Sequence, residues 1–145
     1  MKKRLNKTVL LAAILALAAM AVTPGVRADE VTDWNQNMLQ AAFVAKTSPL
    51  ITTRVAAIVQ AAVFDAVNGI ERRYTPLHVT ATAPRGASKR AAVVQAAYAS
   101  LVKLYPAQRP TLDAQLTASL ANLVGDPEED VGRSIERGIS WGQTV

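Results

Sequence analysis

Apolar residues recur along most of this chain at the spacing of one helix face, and that period predicts five helices. Trp34, Met38 and Ala42 mark one face of a first helix from Asp33 to about Lys46, capped by Thr32 or Asp33. Ser48-Pro49, a cap followed by proline at the first helical position, opens a second that runs to about Ile70. Its apolar positions, Ile51, Val55, Ile58, Val59, Ala62, Val63, Ala66 and Val67, cover most of its circumference. A helix apolar nearly all round belongs in a core, so this one is expected to be the spine of the structure.

The segment from Arg72 to Ala87 breaks the period with Pro76, Pro84 and Gly86 and reads as irregular. A third helix follows from about Ser88 to Leu104, burying Ala91, Val94, Ala97, Tyr98 and Leu101, and Tyr105-Pro106 ends it. Leu112, Leu116, Leu120 and Leu123 stripe a fourth from about Pro110 to Val124, with Gly125 as its terminal glycine. Asp126, Pro127 and Glu128-Glu129 have the chemistry of a fifth helix start, and Val131, Ile135 and Ile139 recur behind them. No Gly cap, Pro or basic last turn closes that helix by Val145, so an incomplete bundle is expected. The fold class is all-α, an Ala-rich bundle whose short connections favour antiparallel neighbours. Gly132, Gly138 and Gly142 are expected to let helix axes approach closely.

The first 28 residues follow a different pattern. Lys2, Lys3, Arg4 and Lys7 precede an apolar run from Thr8 to Val22, Pro24-Gly25 break it, and Val26-Arg27-Ala28 offers small residues where a signal peptidase cuts. The apolar run is about 15 residues, short of the roughly 20 that span a bilayer. Residues 1–28 therefore read as a signal peptide cleaved after Ala28, and 29–145 as a periplasmic or secreted helical region without a stable membrane anchor. Cleavage changes the charge argument. Five of the 16 Lys and Arg precede the cut and all 11 Asp and Glu follow it, so the net charge of +5 falls to zero. A nucleic-acid role, which needs a basic face, loses its support. The absence of cysteine excludes disulfides, thiolate catalysis and Cys-ligated metals.

Candidate chemistry is sparse. Arg54, Asp65, Asn68 and Arg72 fall on nearly one face of the second helix. Arg54 and Asp65 are about 16 Å apart at 1.5 Å per residue, too far to pair, so each needs a partner elsewhere. The stripe reads as polar cross-links that fix helix register; an acid–base or substrate-binding face is the alternative. His78, the sole histidine, lies in a segment without a neighbouring carboxylate and reads as loop packing. Glu128, Glu129 and Asp130 read as a helix-start charge cluster, and Trp34 and Trp141 as core or interface anchors. No residue is assigned a catalytic, cofactor-binding or metal-binding role on these patterns.

The run Thr53-Arg54-Val55-Ala56-Ala57-Ile58-Val59-Gln60-Ala61-Ala62-Val63-Phe64-Asp65-Ala66-Val67-Asn68 resembles the N-terminal helical signature of bacterial vanadium-dependent haloperoxidases and related acid phosphatases of the phosphatidic-acid-phosphatase type 2 superfamily. Trp34-Asn35 before it, Tyr74-Thr75-Pro76, the Ala-rich stretch from Ala91 to Pro106 and the Gly-containing segment from Val131 to Val145 match further elements in order; Thr53 and Phe64 depart from the pattern. The resemblance covers essentially all of the chain after Ala28. It implies an α-helical bundle that grips vanadate or phosphate through Lys, Arg, Ser, Gly backbone and two histidines. The motifs that carry those groups, Pro-Ser-Gly-His and Arg-x-x-x-Gly-x-His, do not occur in the 145 residues. The resemblance thus implies scaffold without the vanadate-binding machinery, completed by a missing C-terminal half. The alternative is a small periplasmic non-enzymatic helical protein that self-associates or binds a protein partner.

Overall fold

The computed structural model describes residues 29–145 except 128 and 130. The signal-peptide assignment and the Glu128 and Asp130 side chains lie outside the described residues. The rest is all-α: α1 (Glu30–Val44), α2 (Pro49–Glu71), α3 (Lys89–Leu104), a 3-10 turn (Pro106–Gln108), α4 (Arg109–Ala121) and α5 (Ser134–Thr144). No strand forms among the described residues.

The spine is α3, not α2. Every residue from Ala91 to Ala97 is buried, and α1, α2, α4 and α5 all pack on α3. Four of those seven residues are alanine, so neighbouring axes come close on several sides at once. Val55, Val59, Val63 and Ala66 of α2 are buried, but Leu50 and Ile58 on its other flank are exposed. Periodicity marked α2 as apolar all round without showing that one side has no cover among the described residues.

The first core cluster joins Trp34 and Met38 of α1, Val55, Val59 and Val63 of α2, Val94, Ala97 and Leu101 of α3, and Leu112 of α4. The Trp34 ring meets Tyr98 edge-on, with centroids 6.3 Å apart and planes at 82°, a favoured aromatic geometry. The second cluster gathers Ala66, Ala92 and Ala96 around Trp141 of α5. Both tryptophans are core anchors, in line with the sequence reading.

Helix starts differ from the expected ones for identifiable reasons. Asp29, not Thr32 or Asp33, caps α1: its carboxylate accepts the Thr32 N–H at 2.8 Å, and the helix begins three residues earlier. Ser88 caps α3 as its sequence position suggests, accepting the Ala91 N–H at 3.0 Å. The fifth helix begins at Ser134, eight residues after Asp126. The Asp126 carboxylate is taken by the Arg90 guanidinium at 2.6 Å, and Gly132, at φ +62°, turns left-handed where a helix would have to continue. The other guanidinium nitrogen of Arg90 bonds Glu30 at 2.5 Å. One side chain thus ties the starts of α1 and α3 to the α4–α5 connection, and its charged form is strongly favoured by the two carboxylates.

The inner face of α5 also differs. Val131 is exposed and Ile135 and Ile139 are half-buried, whereas Ser134, Gly138, Trp141 and Gly142 are buried. Small residues, not the branched stripe, make the contact with α3. A Cβ at Gly138 would lie 2.5 Å from the Ser88 carbonyl oxygen, and one at Gly142 would lie 2.5 Å from that of Ala92. Gly132 has no atom within 4 Å of such a Cβ, so it serves the turn and not the close approach. Gly69 of α2 leaves the space that the Trp141 ring fills, and the Trp141 indole N–H donates to the Ala66 carbonyl at 2.8 Å.

In an exposed helix Gly→Ala stabilises by about 1 kcal/mol. Here the added methyl meets backbone on a neighbouring helix, and overpacking of this kind costs about 1–3 kcal/mol. Gly142→Ala and Gly138→Ala are therefore expected to lower the melting temperature. A thermal melt followed by circular dichroism checks the sign: a rise for either variant would show that α5 does not pack on α3 as described.

Candidate functional site

The last two turns of α2 hold two of the polar residues singled out in the sequence, Asp65 and Asn68. Asp65 is 1% exposed. Its carboxylate accepts three backbone N–H groups of the loop after α2: Leu77 at 2.8 Å, His78 at 2.7 Å and Val79 at 3.0 Å. One turn further along, Asn68 makes a two-way bond with Tyr74, its amide donating to the Tyr74 carbonyl at 2.8 Å and its oxygen accepting the Tyr74 N–H at 2.9 Å. Both side chains thus substitute for the secondary structure that the loop lacks, satisfying peptide groups that no strand or helix would pair. The partner that Asp65 required is the loop itself, on its own chain and 12 to 14 residues away.

Burial pushes the Asp65 carboxyl up, but the N–H groups of Val79, Leu77 and His78, helped by the His78 imidazole, outweigh it and hold the carboxyl below the ordinary value of 3.8. Charge-assisted bonds to backbone amides favour the ionised form. A buried carboxylate fixed as an anion by three donors is a structural acceptor. It does not shuttle protons near neutrality.

The remaining polar candidates separate. Arg54 is exposed and makes no ion pair among the described residues. Arg72 ends α2 in the left-handed conformation, φ 55°, with its side chain in solvent. Glu129 is not a helix-start residue: its carboxylate accepts the Ser88 hydroxyl and its carbonyl the Ser134 hydroxyl. His78 was expected to lack a neighbouring carboxylate; the structure corrects this, since its own N–H rests on Asp65, while its side chain is exposed.

A groove of about 280 Å³ runs between α2, this loop and the end of α3. Ile58, Ala61, Ala62, Val79 and Leu104 give it an apolar lining, with Asp65, His78, Ser100 and Lys103 as the polar residues. Spacing alone could not place Ser100 and Lys103 beside His78, because they lie more than twenty residues further along, on another helix. The Ser100 hydroxyl donates to the Ala96 carbonyl of its own helix at 2.9 Å. Among the described residues no hydrogen bond links Ser100, His78 and Lys103. Nor do three His, Cys, Asp or Glu side chains converge on a point among them. The arrangement offers an apolar trough with a cation at its edge.

Asp65→Asn removes the charge and turns a donor toward the loop amides. We expect it to loosen residues 77–79 by about 2–3 kcal/mol, raising their amide hydrogen exchange about 30- to 150-fold, with α3 exchange unchanged. The carboxyl is depressed in the fold, so its stabilisation is present above 3.8 and is lost as pH falls through the lower folded value. Protection of those three amides, measured against the intrinsic exchange rate at each pH, should therefore fall only in the acid range. A loss of protection near neutral pH would show that the carboxylate is not what holds the loop.

No protein-family model, no curated protein and no solved structure matches this chain.

Proposed function

We propose that this chain is an exported helical scaffold of the vanadium-haloperoxidase-like or acid-phosphatase-like kind, without the residues that grip vanadate or phosphate. Its work is to hold a shaped helical face for a further body of protein that completes the bundle. The observation that carries this reading is the uncovered apolar surface on α1 and α2. Phe43 and Leu50 are each 80% exposed, and Leu39, Val44, Ile51 and Ile58 stand open on the same two helices. A soluble monomer rarely displays so many large apolar side chains together unless they meet something.

The family resemblance supports the reading at the residue level. Asp65 and Asn68, the most characteristic part of the matched run, act as loop clamps, which suits a scaffold role. The one histidine follows Leu77, so neither histidine motif of the family is met. A second reading rests on the same surface: a small periplasmic protein that covers the face with a second copy or another partner.

Purified residues 29–145 should bind a reporter dye for exposed apolar surface strongly and melt over a broad range. Light scattering after size exclusion separates the two readings, since aggregation favours the scaffold and a discrete dimer with a cooperative melt favours self-association. A sharp, reversible two-state melt of a dye-free monomer would contradict both.

A further inference from the structure

We infer that the outer face of α2 docks an amphipathic helix carrying carboxylates beside its apolar stripe. This rests on the reading that the face is made to be covered, and it adds the chemistry of the cover. Leu50, Arg54, Ala57, Ile58 and Ala61 follow one another at helical spacing and form one strip along α2. Leu50, Arg54, Ala57 and Ile58 are exposed and Ala61 is half-buried. The strip leads into the groove where Ile58, Ala61 and Ala62 face Leu104 and Lys103 of α3. Only 28% of the apolar window of α2 is buried. Ala57 and Ala61 leave room for a second helix axis to come close, as the alanines of α3 do inside the bundle.

Charge selects the occupant. Between Asp33 and Asp65 the chain has no acidic residue and two basic ones, Lys46 and Arg54. Between Lys89 and Asp113 it again has none, while Lys103 stands at the groove. Arg54 and Lys103 form no ion pair with a side chain among the described residues, and the Asp65 carboxylate at the groove is committed to three amides. A partner with Glu or Asp flanking its apolar stripe complements this field. A second copy of the chain would set basic against basic. An anionic membrane also suits apolar and basic groups together, but lipid-binding clusters hold four to eight Lys or Arg, and a concave trough between two helices fits a rod better than a plane.

The probes are two synthetic amphipathic peptides of about 18 residues, roughly 27 Å as helices, with the same Leu/Ala stripe and either Glu or Lys flanks. Anionic phosphatidylglycerol vesicles are the third probe. With the full chain, fluorescence anisotropy should show the Glu peptide binding at least about tenfold more tightly than the Lys peptide. The exposed double substitution Arg54→Glu, Lys103→Glu should reverse that order without altering the circular dichroism melt, and Ile58→Asp should weaken both peptides. Equal affinity for the two peptides, or an unchanged order in the double variant, overturns the proposal. So does vesicle binding with no peptide binding, which would assign the face to a membrane, or a dimer that persists after the charge reversal. Strong dye binding together with equal peptide affinities would leave the covered-face reading standing and remove the acidic partner. Absence of dye binding would remove both.

Discussion

The fold depends on contact between helix backbones around α3. Alanine on α3 and glycine on α5 bring the two helices so close that a single methyl at Gly138 or Gly142 would strike a carbonyl oxygen. Dispersion contacts at that separation are numerous and need no large side chain. Once α5 lies there, Trp141 is placed over Gly69 and its indole hydrogen reaches Ala66. A large ring joins three helices only because Ala66, Gly69, Ala92 and Ala96 around it are small. Arg90, in the first turn of α3, ties the same assembly to Glu30 and Asp126. The core is built by letting axes approach, and its few large residues fill what is left.

That constraint shapes the surface. A helix such as α2 can be apolar on every side and still give the bundle only one of them. Its inner side meets α3 through Val55, Val59 and Val63; its outer side keeps Leu50 and Ile58 in the open. The polar end of α2 then does a separate task. Asp65 and Asn68 hold an irregular loop against the bundle, and that loop forms one wall of the trough beside α3. Shape, apolar lining and positive charge come together there.

The sequence made the class of the fold legible because period and caps are local. Ser48-Pro49, Ser88 and Tyr105-Pro106 mark real boundaries, and the buried positions on α1 follow from spacing alone, whereas α4 ends at Ala121 with Asn122 as its cap, so Leu123 is buried beyond the helix and Gly125 does not close it. What it hid was non-local. Asp126-Pro127 has the local chemistry of a helix start, but Arg90, 36 residues away, takes its carboxylate, and Gly132 turns the chain the wrong way for a helix. The branched stripe on α5 suggested the wrong inner face because periodicity counts hydrophobicity and overlooks how near two backbones come. The site shows the same division. Asp65 and Asn68 stood out as residues in need of partners; that the partners were loop amides, and that Lys103 would face His78 across a groove, required the fold.

We propose that the chain supplies scaffold and no oxyanion grip. Titration of orthovanadate into the full chain, followed by calorimetry with inorganic phosphate as competitor, tests it most directly. The account predicts no saturable heat from either anion. Tight vanadate binding that phosphate displaces would contradict it, because it would require fixed donors converging on an anion, and among the described residues the groove offers only the isolated cation of Lys103, the exposed His78 side chain and a hydroxyl already bonded to its own helix.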